Sequence, residues 1–433
     1  MDSFYYAVYN AAVLPLLRFA LFLGALVDPK IRRGLKGRSG LFSRLESETA
    51  GCAGRSPRFW IHTSSMGEFE QAKPVIAGLR ARFPDAFIAV SFFSPSGYEN
   101  VRSFPGADLL TYIPFDTRRN AGRFLSILRP DAGIVVRHDI WPNHTAELKR
   151  RGIPAFLINF SLRSAPAYRR FWTRGMIRMC VRPFDHVLAV SEQTADVSEK
   201  FSLSSVRPEV AGDTRYDQVV RRTENAEAAA GPLRPLKQGR FGIVFGSTWP
   251  TDEAVITPVL KALAVEHRRL WSVWVPHEPT AEHLQNVESQ CAGAGLRCVR
   301  LSGLPDARGG AFDVLLVDRI GILAGLYALA DAAFVGGGFG PGVHSVLEPA
   351  AFGIPVFFGP RCRNSHEAGQ LESRGGGFLV RDADSFLRVL RPMVNDSAVL
   401  KKAGASALAL VRENIGATDR IVRRLEERVK PRA

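Results

Sequence analysis

The chain has 433 residues, 46% hydrophobic and 23% charged, which excludes a largely disordered chain and suits two globular domains of about 150–200 residues each. A net charge of +15 points to an anionic partner: nucleic acid, an acidic membrane surface or a phosphorylated substrate. Cys52, Cys180, Cys291, Cys298 and Cys362 are scattered and form no CxxC pair, which excludes a disulfide framework and reads as reduced thiols of a cytoplasmic protein.

Phe4 to Val27 is nearly all apolar, broken by Asn10, Pro15 and Arg18, and Lys30, Arg32, Arg33, Lys36 and Arg38 follow at once. The run is long enough to cross a bilayer, which takes about 20 residues. Arg18 near its middle costs about 2.5–3.5 kcal/mol in a spanning helix and less in a helix lying in the interface. Basic residues after the run, rather than before it, disagree with a cleaved signal peptide and keep the body cytoplasmic. Residues 1–35 therefore read as a membrane anchor with a basic flank, spanning or interfacial.

Short β-rich runs then alternate with helical stretches. Strands are expected at Phe59–Thr63, Phe87–Phe93, Leu110–Ile113, Gly133–Val136, Ala155–Phe160 and Val187–Ser191, with helices such as Glu68–Arg82, Asn120–Leu128 and Thr145–Arg151 between them. From Lys149 to Arg182 there are nine Lys or Arg and no Asp or Glu, an expected binding surface or solvated face. Residues 223–239 have little apolar periodicity and read as a linker. Alternation restarts at Gly242–Ser247, Trp271–Val275, Val314–Val317, Ala333–Gly336, Pro355–Phe358 and Gly377–Val380, and a charged helix over Asn414–Val429 is expected to reach across both halves. The expectation is an α/β protein of two Rossmann-like, doubly wound domains, 36–222 and 240–413, facing a central cleft, with an N-terminal anchor helix and a C-terminal helix in 414–433.

Chemistry is expected at strand ends. The first strand runs into Thr63-Ser64-Ser65-Met66-Gly67-Glu68 instead of GxGxxG, which argues against a dinucleotide site there. Gly67 permits a tight turn, and Glu68 in the first helical turn is either a cap or a base for an attacking hydroxyl. Gly336, Gly337, Gly338, Gly340 and Gly342, followed by His344 and Glu348, put a glycine-rich loop between a strand and a helix, a pattern that suits a phosphate at the backbone and a carboxylate on ribose hydroxyls. Gly246-Ser247-Thr248-Trp249, followed by Asp252 and Glu253, reads as a capped helix start with an anion nest. His277 after Pro276 is a further donor-side candidate, and Asp213-Thr214-Arg215 brings an arginine to the expected cleft. No metal-ligand spacing occurs, nor a DxD pair of the sort that holds a metal on a nucleotide diphosphate.

With Trp60-Ile61-His62, Ser65-Met66-Gly67-Glu68, Asp139-Ile140-Trp141-Pro142-Asn143, Asn159-Phe160-Ser161-Leu162-Arg163, Gly212-Asp213-Thr214-Arg215, Gly246-Ser247-Thr248-Trp249, Leu326-Tyr327-Ala328-Leu329-Ala330-Asp331, the glycine loop to Leu347-Glu348-Pro349, and Phe358-Gly359-Pro360 in this order, the chain resembles the 3-deoxy-D-manno-octulosonic acid (Kdo) transferases of lipopolysaccharide assembly. It departs from their pattern at Ser345-Val346, where Asn-Pro is common, at Ile322 after Gly321, at His138-Asp139-Ile140, and at Pro276-His277, where Pro-Arg-His is common.

The resemblance implies a metal-independent, inverting GT-B glycosyltransferase without a cofactor, on the cytoplasmic face of the inner membrane. It implies CMP-Kdo as donor, a phosphorylated lipid A precursor (lipid IVA) as acceptor, and no nucleic acid as partner. It implies Glu68 as general base, donor contacts from Gly246, Ser247, Thr248, Pro276, His277, Gly321, the five loop glycines, His344 and Glu348, and acceptor contacts from Ser65, Gly67, Asp139, Arg163 and Arg215. Another membrane-associated GT-B enzyme with a different nucleotide-sugar, and a non-catalytic protein that binds anionic lipid or nucleic acid, are the alternatives.

Overall fold

The computed structural model describes residues 2–52, 54–101, 103–162, 170–266, 270–304 and 312–429. It divides the chain into two compact units, Met1–Gln218 with Ile415–Ala433 and Val219–Asn414.

In the first unit, β1 (Arg58–Thr63), β2 (Phe87–Phe92), β3 (Leu109–Tyr112), β4 (Ala132–Val136), β5 (Ala155–Phe160), β6 (His186–Ala189) and β7 (Glu209–Val210) form a parallel sheet in the order β3-β2-β1-β4-β5-β6-β7. Continuous burial along β1, β2, β4 and β5 is what a parallel sheet covered on both faces requires. The two-residue period splits these strands between two cores. Phe59, Ile61, Ile88, Val90 and Ile134 face helices Met66–Arg82 and Ala417–Arg428, whereas Trp60, Phe87, Ala89, Val135 and Leu157 face helices Leu41–Ala50 and Arg118–Leu128. Each such Phe or Ile contributes about 1.5–3 kcal/mol by leaving water.

The second unit repeats the plan. Strands β8 (Phe241–Thr248), β9 (Leu270–Pro276), β10 (Cys298–Arg300), β11 (Val314–Leu316), β12 (Ala332–Val335), β13 (Val356–Phe358) and β14 (Gly377–Leu379) pair in parallel in the order β10-β11-β9-β8-β12-β13-β14. Ile243, Phe245, Trp274 and Phe334 pack on one face, and Val244, Trp271, Val273 and Ala333 on the other. In each sheet the strand order reverses once, between β1 and β4 and between β8 and β12. Such switch points open a crevice at the carboxyl ends of the strands.

Three sequence expectations differ from the structure. β7 and β10 were not expected; they are short edge strands with no apolar run to announce them. Residues 223–239 are helical in turns Glu227–Ala230, Gly231–Leu233 and Arg234–Lys237, with Ala230 and Leu233 buried against Leu326, Tyr327 and Leu329 of the second unit. Alanine and glycine pack closely without an amphipathic stripe: a Cβ on Gly325 would lie 2.8 Å from Cβ of Ala229. The helix expected over Asn414–Val429 instead breaks at Ile415 and Gly416, and its second part, Ala417–Arg428, belongs to the first unit, where Gly78 lets it approach helix Met66–Arg82.

At the N-terminus, Asp2–Val8 and Leu14–Val27 are α-helical and joined through a π turn at Tyr9–Val13. Ser3–Val27 is the one helix among the described residues long and apolar enough to cross a membrane.

Candidate active site

The switch point of the first sheet carries Glu68 and Asp139. Helix Met66–Arg82 starts directly after β1, and Glu68 at its third position turns back: Oε2 accepts from the Ser65 N–H at 2.8 Å and the Ser65 hydroxyl at 2.7 Å. This is a capping arrangement that leaves Oε1 without a partner among the described residues. Glu68 is therefore a cap, and the same bonds fix its carboxylate in one orientation at the strand end.

Asp139 follows β4. It accepts from His62 Nε2 at 2.9 Å and Trp141 Nε1 at 3.2 Å, while His62 Nδ1 meets Ser91 Oγ at 2.9 Å and Trp60 Nε1 donates to the same oxygen at 2.8 Å. Burial raises the Asp139 carboxyl, but the hydrogen bonds from His62, Ser64 and Trp141 and the His62 charge win and hold it below the usual carboxylate range. His62, 1% exposed, bridges β1 and β4 at the point where the strand order reverses. Its part was not expected from the sequence; a His in the body of an apolar strand was the available signal.

Arg215 is held in its own turn, donating from Nε and Nη2 to Asp213 Oδ2 at 2.9 and 2.7 Å. Arg163 lies outside the described residues. In the basic stretch, Arg150 and Arg151 pair with Glu147, just upstream of it. Arg150 first, against the effect of burial, and then Arg151 hold the Glu147 carboxyl down to about 2.

The switch point of the second sheet gathers most of the expected donor residues. Gly336 ends β12 against the end of β8, where a Cβ would fall 2.2 Å from the Ser247 carbonyl oxygen and 2.7 Å from Cα of Thr248. Gly338 is as close to Gly359, 2.5 Å from a Cβ to its nitrogen. The loop's amides are used inside the protein. Gly337 and Phe339 N–H donate to the Asp252 carboxylate at 2.7 and 3.1 Å, Gly336 donates to Gly246 O at 2.8 Å, and Gly340 and Gly342 donate to Gly337 O at 2.9 and 2.8 Å. The anion that these loop amides hold is Asp252, which also accepts from Trp249 N–H at 2.9 Å. Burial outweighs these bonds and leaves the Asp252 carboxyl above its usual range.

Trp249, His277 and His344 stack beside this loop. Ring centroids are 4.8 Å apart for Trp249–His277 and 4.4 Å for His277–His344. Trp249 Nε1 donates to His344 Nε2 at 3.0 Å, so that nitrogen is an acceptor and unprotonated. Burial, and then the neighbouring His277, push His344 down to about 4. Glu348 pairs with Arg222 instead of standing free. Gly321, at φ +91°, lies two residues before Leu323, whose side chain covers Gly246.

Two non-glycine residues with positive φ mark the two switch points, Arg137 at the end of β4 (69°) and Ser247 at the end of β8 (55°). Backbone held in that region persists only where surrounding structure imposes it, and it clusters at functional sites. Among the described residues no group of three or more His, Cys, Asp or Glu is placed to hold a metal ion.

Two parallel-sheet α/β units, each with its candidate residues at a switch point, have the fold of the GT-B class. The same fold occurs in UDP-GlcNAc 2-epimerase from Neisseria meningitidis (TM-score 0.61, 14% identity, covering 86% of this chain and 100% of that one) and in MurG of Acinetobacter baumannii (TM-score 0.53, 14% identity, 86% and 100%). The family model of 3-deoxy-D-manno-octulosonic-acid transferase matches residues 33–218, and the 3-deoxy-D-manno-octulosonic acid transferase of Haemophilus influenzae is 26% identical over 98% of this chain and 97% of its own. Over nearly its whole length the chain is similar to 3-deoxy-D-manno-octulosonic acid (Kdo) transferases.

Proposed function

We propose that the protein transfers Kdo from CMP-Kdo to lipid IVA, a phosphorylated lipid A precursor, at the cytoplasmic face of the inner membrane, with inversion and without a metal. The observation that carries this reading is the Glu68 carboxylate fixed by Ser65 at the switch point of the first sheet, with Oε1 unpartnered among the described residues, in a chain similar to the Kdo transferases. Glu68 takes the proton of an acceptor hydroxyl as its oxygen bonds to the anomeric carbon. The bond from that carbon to the CMP phosphate breaks, and CMP leaves with the electron pair. A positioned base contributes a factor of about 10²–10⁴.

The second unit holds the donor. Close packing of Gly336 and Gly338 brings main chain, Ser247 and Thr248 to the nucleotide, with His277 and His344 beside it and Glu348 exchanging Arg222 for the ribose hydroxyls. On the acceptor side, Ser65, Gly67 and Asp139 line the first switch point, with Arg163 and Arg215 reading phosphate. The test is a donor panel with purified protein and lipid IVA. Kdo is expected to appear on the lipid with CMP-Kdo, in EDTA as well as without it, and not with UDP-sugars. Transfer from a UDP-sugar alone, or strict loss of activity in EDTA, overturns the reading.

A further inference from the structure

The helix Ser3–Val27 has the length to span a bilayer, yet both of its ends are fastened to the first unit. At the start, Tyr5 is buried against Gly175, where a Cβ would lie 2.0 Å from its ring. The Tyr6 hydroxyl donates to Asn143 Oδ1 at 2.5 Å, the Tyr9 hydroxyl to Asp116 Oδ2 at 2.8 Å, and Asn143 Nδ2 to Asn10 Oδ1 at 2.9 Å. Asp116 and Asn143 are buried in the body of that unit. At the far end, Arg32 caps the helix through Ala25 O and Leu26 O at 2.9 and 3.0 Å. The next helix, Pro29–Gly37, lies on the sheet's edge, with Gly34 against Pro95 and Gly37 against Tyr112.

A helix held at both ends by one soluble body cannot put one end on the far side of a membrane. The stretch beyond the last fastened residue, Pro15–Val27, is 13 residues, or about 20 Å at 1.5 Å per residue, short of the roughly 30 Å of hydrocarbon. What it offers is a face. Leu16, Phe19, Phe22, Leu23 and Leu26 recur at helical spacing and are 46–66% exposed, and Phe171 and Trp172 of helix Phe171–Val181 extend the apolar surface beside Phe4, 6.0 Å from the Trp172 ring.

Along this helix runs an open groove of about 830 Å³ lined by Asn10, Leu14, Arg18, Thr117, Arg118 and Arg119. Arg118 lies over the Tyr6 ring at 5.0 Å and Arg18 over the Phe115 ring at 5.9 Å. Among the described residues none of these three arginines pairs with a carboxylate. Three cations converging on one groove without an acid, at the edge of an exposed apolar helix, match an anionic headgroup above acyl chains.

We propose that Leu14–Val27 lies in the plane of the bilayer surface, and that the Arg18–Arg118–Arg119 groove takes the phosphate of an anionic phospholipid headgroup while Phe19, Phe22 and Trp172 enter the acyl boundary. This rests on the reading that the protein works at a membrane. Vesicle binding is scored without sugar transfer, so either can fail alone. The experiment uses the full chain, an N-terminal affinity tag, and vesicles of phosphatidylglycerol or of phosphatidylcholine. R118Q/R119Q is expected to weaken partitioning onto phosphatidylglycerol about fivefold for each arginine removed and leave phosphatidylcholine binding unchanged. F19S/F22S is expected to weaken both, and the tag to stay open to added protease. A tag protected inside the vesicles shows a spanning helix. Unchanged phosphatidylglycerol binding by R118Q/R119Q removes the headgroup site. F19S/F22S that keeps vesicle binding but turns a dimer into a monomer makes the face a contact between copies. Each of these overturns the proposal.

Discussion

The Tyr9 hydroxyl donates to Oδ2 of Asp116 across 107 residues of sequence, and Asp116 is fully buried. Asp116 also takes the N–H groups of Asn143 and His144 at 3.0 Å each and His144 Nδ1 at 2.6 Å. Burial raises its carboxyl, and these bonds, led by His144, bring it below the usual range. Tyr9→Phe removes one charge-assisted bond from a buried acid. We expect a loss of about 1–3 kcal/mol in urea denaturation of the full chain. Deleting residues 1–28 removes the same donor, so it is expected to release the protein from membranes and also lower its Tm. Truncated protein that stays on membranes places the tether elsewhere.

Glu68→Gln separates the two roles of that residue. A glutamine oxygen still accepts from Ser65 N–H and Oγ, so stability is expected within about 0.5 kcal/mol of wild type, whereas Glu68→Ala loses the cap at about 0.5–2 kcal/mol. The rate kcat is expected to fall by about 10²–10⁴ in Glu68→Gln, with both substrates still bound. Turnover within a few-fold of wild type leaves Glu68 as a cap alone.

Glu348→Ala is expected to weaken CMP binding in calorimetry by about 10–100-fold, the worth of one to two hydrogen bonds to a charged group. Acceptor binding is expected to be unchanged. Equal CMP affinity in the variant confines Glu348 to its pair with Arg222.

Burial, and then the neighbouring His277, push His344 down to about 4 from an ordinary 6.5 in the folded chain. Between those values the unfolded chain binds the additional proton, so stability falls as pH drops from about 6.5 toward 4 and is full above 6.5. His344→Gln is expected to flatten that part of the pH–stability curve, read by urea denaturation at pH 4.5, 5.5 and 7. An unchanged slope assigns the acid sensitivity to other groups.

The strands were legible because a doubly covered parallel sheet needs uninterrupted apolar runs, and Phe59–Ile61, Ile88–Val90 and Ile134–Val136 supply them. Glu68, Ser247 and the glycine loop were legible as residues at strand ends. The partner of the loop was not. Asp252 reads as an ordinary acid at a helix start, and nothing local signals that it meets Gly337, 85 residues on. His62 was hidden in the same way, since its bond to Asp139 depends on β1 and β4 being neighbours. The residues at 223–239 failed for a different reason: small side chains bury little area each, so close packing leaves no periodic mark.

Helix Ala417–Arg428 closes one face of the first sheet, with Ile421, Leu425 and Val429 in its core. On a ribosome, β1 to β7 emerge long before that helix, and the whole of the second unit is made between them. The unit begun first is therefore completed last. Until translation passes residue 429, Phe59, Ile61, Ile88 and Val90 lack part of their cover, and the nascent chain carries an open apolar face through most of its synthesis. A chain stopped after Asn414 would own a complete second unit and an unfinished first one.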